Sequence, residues 1–351
     1  MTSIVRNFLK SFDIPKRDLT RYDESELSEG LEAEFQLPET FRNVARSLML
    51  VQNTKKPMII NPCLYILAAD HGIADQGYCL QPQVFSRNYL QKSAEGKSSV
   101  NTFTRQHRID LKLVDLGLKQ AISHPKVTPR RLADANGDFS INPALTADQL
   151  QRCLNIGRDL VKSRLRHASV LGLSLTGSGG EIASLMLLSR LADIPLEQLF
   201  SKGDMLRQPE SQLKELVQVS NNIQKDKTNI EQELLQFAGF EMVAAIGFIL
   251  QASLQKSLVV IDDSTALVMA WITSLLMPTV TPSILVAKSN RSPADSYIIE
   301  QLGISPLLGQ DLNLASSRGC ASALSYPLLQ STCLYINEVL VQHRQQVQNL
   351  Q

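Results

Sequence analysis

Short apolar runs, each ended by acids, glycines or small polar residues, alternate with longer stretches of helical periodicity along most of this chain. The runs Leu64–Ala68, Leu111–Val114, Ser169–Leu173, Leu258–Ile261 and Ile284–Ala287 are too short for helices and predict buried strands. Helices are predicted over 84–105, 147–166, 181–192, 210–224, 240–254, 264–277, 293–302 and 321–345. Ahead of the first strand, Phe41, Val44, Ala45, Leu48 and Val51 recur at helical spacing and predict an amphipathic helix. Residues 1 to about 35 are rich in charge and read as loosely packed or helical at the surface. The alternation predicts an α/β fold, a mostly parallel sheet with helices on both faces, Rossmann-like. Thr146, with Gln149 three residues on, predicts a capping box. The stretch 119–141 carries Pro, Gly and basic residues and reads as a long loop.

The polar residues that end the strands are the candidates for chemistry. Asp70-His71-Gly72 closes the first run, and an acid at the carboxyl end of an inner strand of an open α/β sheet faces the ligand crevice. Leu175-Thr176-Gly177-Ser178-Gly179-Gly180 follows a strand and precedes a helix, where glycine-freed amides suit a phosphate group. Asp262 and Asp263 end another strand, placed to accept from ribose hydroxyls or to cap the next helix. Lys288-Ser289-Asn290-Arg291-Ser292 offers two cations and three small polar groups as an anion cradle. Each segment also has a plain structural alternative: a strand-to-loop corner, a tight turn, a helix cap or a solvated loop.

Composition narrows the class. The 351 residues suffice for one large domain or two smaller ones. A net charge of +1 exerts no global pull toward nucleic acid or an anionic membrane, and Arg105, His107, Arg108 and Lys112 read as a solvated face. Cys63, Cys79, Cys153, Cys320 and Cys333 are widely spaced, which predicts reduced thiols in a cytoplasmic protein and no metal site. The start, Met1 to Arg21, has scattered charges and no apolar core, unlike a secretory signal. The longest apolar stretch, Thr265 to Met277, falls short of the roughly 20 residues that span a bilayer.

The order of the motifs resembles that of the nicotinate-nucleotide:dimethylbenzimidazole phosphoribosyltransferases. The colinear segments are Asp70-His71-Gly72, Gln81-Pro82-Gln83, Glu95 to Asn101, Thr104-Arg105-Gln106, Val114-Asp115-Leu116-Gly117, Pro143 to Thr146, Ala238-Gly239-Phe240-Glu241-Met242, Val259 to Asp262, Ser289 to Ser292 and Tyr326-Pro327-Leu328-Leu329. They extend over roughly residues 37 to 340. The resemblance implies a large α/β domain at 58–320 and a smaller helical domain built from 1–57 and 321–351. It implies transfer of phosphoribose from nicotinate mononucleotide to a base such as 5,6-dimethylbenzimidazole, in cobalamin lower-ligand synthesis, by a homodimer without a cofactor. Carried over by position, the substrate-binding residues are Asp70, Cys79, Leu80, Gln83, Leu175, Thr176, Gly177, Ser178, Gly179, Gly180, Gly203, Asp262, Lys288, Ser289 and Arg291.

Two family acids have no counterpart here. The resemblance implies a general-base glutamate near the C-terminus. Aligned from Pro306-Leu307-Leu308, Ser316 takes that position; aligned back from Pro327, Arg318 does. Arginine stays protonated and serine is no ready base at neutral pH. A second family acid falls on Leu173 or Leu175, and Glu181, in the following helix, is not an obvious substitute. The chain is therefore expected to be either a transferase of weakened activity or a non-catalytic or repurposed paralogue that binds a nucleotide or base.

Overall fold

The computed structural model describes residues 3–17, 39–79, 84–200, 210–223, 228–289, 292–309 and 318–340. Within them lie six strands: β1 (Cys63–Ala69), β2 (Asp110–Gly117), β3 (Val127–Pro129), β4 (Val170–Thr176), β5 (Leu258–Ile261) and β6 (Ile284–Val286). All pair in parallel, in the order 3-2-1-4-5-6. The order reverses between β1 and β4, so the loops leaving their carboxyl ends diverge and open a crevice between them.

The α-helices among the described residues are α1 (Ile4–Leu9), α2 (Glu39–Gln52), α3 (Phe85–Ala94), α4 (Ser99–Gln106), α5 (Ala147–Lys162), α6 (Gly180–Ala192), α7 (Glu210–Asn222), α8 (Ile230–Phe237), α9 (Phe240–Leu254), α10 (Ser264–Leu276), α11 (Pro293–Leu302) and α12 (Cys320–Tyr335). Alternating strand residues divide the core. Tyr65, Leu67, Leu171, Leu173, Val259 and Ile261 face α5, α9 and α10. On the other side, Leu64, Ile66 and Leu113 meet Leu90 of α3 and Val100 of α4. There too, Val170, Leu258, Val260 and Leu285 meet Val44 and Leu48 of α2 and Ala321 and Leu329 of α12. Both faces of every central strand are thus covered, which explains why the strands read as unbroken apolar runs.

The predicted α/β architecture is present, with differences at identifiable points. The helix predicted over 84–105 is two helices. Gly96 turns in the left-handed region, and Ser98 opens α4 in a capping box with Asn101. The capping box of Thr146 and Gln149 forms at the start of α5. β3 lies inside the stretch read as a long loop, because Val127-Thr128-Pro129 is too short to show a pattern. Of the N-terminal segment read as loosely packed or helical at the surface, residues 3–17 are described; they carry the helix α1 and bury Val5, Phe8, Phe12 and Ile14 in the main core. Its Arg17 guanidinium donates to the Thr279 and Ser253 carbonyls and to the Ser253 and Ser283 hydroxyls. The last predicted helix runs to Tyr335 and passes into a wider turn at Ile336–Leu340.

Candidate functional site

The crevice between β1 and β4 is built on the buried carboxylate of Asp70. Its Oδ1 accepts from the Ser178 amide at 3.0 Å and its Oδ2 from the Lys119 amide at 2.9 Å. One side chain therefore ties the loop after β4 to the loop after β2 across the end of β1. The next residue repeats the tie, since the His71 amide donates to the Ser178 carbonyl at 2.9 Å. The loop lies so close to β1 that a Cβ on Gly177 would fall 1.9 Å from the Ala69 carbonyl oxygen.

Behind the loop sits the imidazole of His71, with Nε2 2.8 Å from Glu241 Oε1. Gly239 holds the other side; a Cβ there would meet His71 Cε1 at 2.3 Å. Asn136 Nδ2 lies 3.5 Å from His71 Nδ1 and donates to the Ala238 carbonyl. Neither His71 nor Glu241 was among the residues expected at the site, although both stand inside motifs that carried the resemblance.

In front of the loop, Thr176, Gly177, Gly179, Glu181 and Ile182 meet Phe85 and Ser86 of α3 and Arg318 around a small, narrow cleft. Arg318 Nη2 lies 2.6 Å from Glu181 Oε1. Burial opposes the charge on the Arg318 guanidinium, but the carboxylates of Glu181, Asp263 and Asp262 outweigh it and move its pKa upward. The Tyr89 hydroxyl donates to the Arg318 carbonyl, and the Tyr89 ring stacks on Phe85. Arg318 Nε and the Thr176 hydroxyl are buried without a hydrogen-bond partner among the described residues.

Asp262 sets where Arg318 stands. Its Oδ2 accepts from the Gly319 amide at 2.6 Å and its Oδ1 from the Ser322 amide at 2.7 Å. The residue expected to meet ribose hydroxyls thus caps α12 with both oxygens. Burial, with Asp263 adjacent, pushes its carboxyl up to about 6. Asp263 caps α10 through the Ala266 amide, as its position predicts, and its other oxygen accepts from the Ser174 hydroxyl and the Leu175 amide. Leu175 itself is buried in the main core.

The remaining expected residues are dispersed around this centre. Ser178 is buried, and Gly180 opens α6 with a Cβ position 3.1 Å from His71 Nε2. Cys79 is half-buried, and its thiol is pushed up to about 11 by burial and then by the carboxylates of Asp70, Glu181 and Asp75. Lys288 and Ser289 follow β6, half-buried, with Lys288 bridged to Leu308. Leu80, Gln83, Gly203, Arg291 and Ser316 lie outside the described residues. Among the described residues no cluster of His, Cys, Asp or Glu is arranged to hold a metal, and no helix is long and apolar enough to cross a membrane. None of the five cysteines forms a disulfide.

The arrangement combines a glycine loop at the N-terminus of a 13-residue helix with a carboxylate and a guanidinium at one pocket. The first suits an anion, and the second suits a ligand that exchanges a proton or carries a hydrogen-bond acceptor. A family model described as phosphoribosyltransferase matches residues 40–347. The nicotinate-nucleotide–dimethylbenzimidazole phosphoribosyltransferase of Cupriavidus necator is 28% identical over 303 residues, covering 85% of this chain and 86% of that protein. The protein of the same name from Cupriavidus taiwanensis is 29% identical over 302 residues, covering 84% and 86%. The solved structure of CobT from Thermus thermophilus shares the fold, with a TM-score of 0.77, 22% identity, and coverage of 96% of this chain and 95% of that one.

Proposed function

Because this chain belongs to the phosphoribosyltransferase family, we propose that it moves phosphoribose from nicotinate mononucleotide to an aromatic nitrogen base such as 5,6-dimethylbenzimidazole. The names of the Cupriavidus relatives, similar over most of both chains, supply that donor and acceptor. The observation that carries the reading is the Thr176–Gly180 loop, fixed by Asp70 at the switch point and opening on the pocket of Glu181 and Arg318. With the Ser178 and Gly180 amides taken up by Asp70 and the Gly177 carbonyl, the N-terminus of α6 would hold the phosphate, with Lys288 and Ser289 beyond β6 as a second source of donors. Displacement at the ribose carbon requires no cofactor and no metal. The protein acts in this reading as a cytoplasmic homodimer, without nucleic acid or membrane partners. The packing of α2 on α12 supports a smaller helical part beside the large α/β domain of 58–320.

Transfer is expected to be slow, since neither Ser316 nor Arg318 supplies a carboxylate. Arg318, held in an ion pair, favours a second reading as a protein that binds nucleotide or base without turnover. Calorimetry with nicotinate mononucleotide, paired with an assay of nicotinate release in the presence of 5,6-dimethylbenzimidazole, tests both. The expected result is tighter binding of the nucleotide than of its phosphate-free nucleoside, with measurable release. Equal affinity for the two would overturn the phosphate site, and binding with no release would establish the second reading.

A further inference from the structure

We propose that Glu181 is the proton acceptor of this pocket, taking the N–H proton of the incoming base as the ring's other nitrogen bonds to the ribose. The inference rests on the transferase reading above. It follows from what each carboxylate around the site already does. Asp70, Asp262 and Asp263 each have both oxygens engaged by backbone amides or, for Asp263, by amides and the Ser174 hydroxyl. Asp115 accepts from the Gly117 and Leu118 amides and pairs with Arg131. Glu241 is sealed against His71 with its side chain 1% exposed.

Glu181 differs from the aspartates in having an oxygen left over, and from Glu241, whose Oε2 is also unpartnered among the described residues, in facing the pocket rather than the core. Its side chain is 27% exposed and lines the pocket. Only Oε1 is engaged, by Arg318, and Oε2 makes no hydrogen bond among the described residues. It stands in the first turn of α6, directly after the glycine loop, so phosphate and base would be held at one helix end. Arg318 fixes the orientation of this carboxylate through the ion pair at Oε1. Arg318 acts here as a positioning residue.

The electrons and protons balance. The bond from the ribose carbon to the nicotinate ring nitrogen breaks, and its electron pair returns to that nitrogen, removing the pyridinium charge. A lone pair of the incoming base forms the new bond, which leaves that ring cationic. The remaining N–H, a very weak acid in the neutral ring, becomes acidic in the cation. A carboxylate then suffices to receive the proton, which passes on to solvent.

The test is Glu181→Gln, assayed with nicotinate mononucleotide and a series of benzimidazoles of rising N–H acidity: 5,6-dimethyl, unsubstituted, 5,6-dichloro and 5-nitro. With the dimethyl base, kcat is expected to fall about 100- to 10,000-fold, while the nucleotide Kd from calorimetry changes little. The defect should shrink along the series, because a more acidic N–H needs the carboxylate less. Glu181→Asp, a second variant that keeps the charge, should retain part of the rate. An unchanged kcat in Glu181→Gln would overturn the proposal. So would a defect of equal size with every base, or one matched by an equal loss of nucleotide affinity, since either marks a scaffold role. Nicotinate release that no base elicits from the natural chain would overturn the transferase reading itself, and the proposal with it.

Discussion

His71 and Glu241, 170 positions apart, meet at 2.8 Å with both side chains closed to solvent. Removing one partner leaves the other buried and polar, the costly half of such a pair. Glu241→Ala is expected to destabilise the fold by about 3 kcal/mol or more. The shift should appear in the urea midpoint at an unchanged denaturant slope. A loss below about 1 kcal/mol, the range of an exposed pair, would show that the two groups are solvated in solution.

The closeness of Gly177 to β1 makes the loop sensitive to a single methyl group. In Gly177→Ala the new Cβ would fall 1.9 Å from the Ala69 carbonyl, so the loop must move off the end of the strand. A displacement near one ångström typically costs on the order of 100-fold in a positioned reaction. Nucleotide affinity by calorimetry should fall at least about tenfold, corresponding to roughly 1.4 kcal/mol. Far-ultraviolet circular dichroism should change little, because α6 keeps its packing on the core.

The parallel α/β class and the strand ends that border the crevice were legible in the sequence for one physical reason, whereas the strand order was not. A strand buried on both faces leaves an apolar run, and its abrupt end in Asp70 or Asp262 marks the carboxyl edge of the sheet. What those acids do was not legible. A ligand-facing carboxylate and one capping distant amides have the same local sequence, and Gly319, whose amide meets Asp262, lies 57 positions away. Glu181 looked like an ordinary helix residue because nothing in its neighbourhood announces Arg318, 137 positions on. Gly96 broke a predicted helix because periodicity continues on both sides of a turn.

Asp262 gives the stability a definite dependence on pH. Its folded pKa, pushed up to about 6, lies above the ordinary 3.8. Between about pH 4 and pH 6 the folded chain therefore keeps a proton that the unfolded chain has released. The contribution of this group to stability falls as pH rises through that window and is flat above it. Comparing urea midpoints of the natural chain and Asp262→Asn across pH 4 to 7 isolates the effect. The difference between the two curves should change only inside the window. A difference independent of pH would contradict the assignment.

Cys79 should be a sluggish nucleophile in the native protein. Burial and then the carboxylates of Asp70, Glu181 and Asp75 push its thiol up to about 11, so little thiolate exists at neutral pH. Iodoacetamide labelling, followed by peptide mass analysis, should modify it slowly at pH 7.5. The rate should continue to climb above pH 9, where an ordinary cysteine levels off. Rapid labelling at neutral pH would show that the thiol is open to solvent and free of the carboxylates.

Tyr89 and Arg318, joined across the pocket, are separated by 229 positions. During synthesis, β1 to β6 and the glycine loop leave the ribosome well before Arg318 and the amides of Gly319 and Ser322. A nascent chain at that stage has the sheet but an open mouth, with the adjacent carboxyls of Asp262 and Asp263 not yet capped from α12. Contacts this distant close late. Of the walls around the glycine loop, the one that Arg318 supplies is therefore the last to be synthesised.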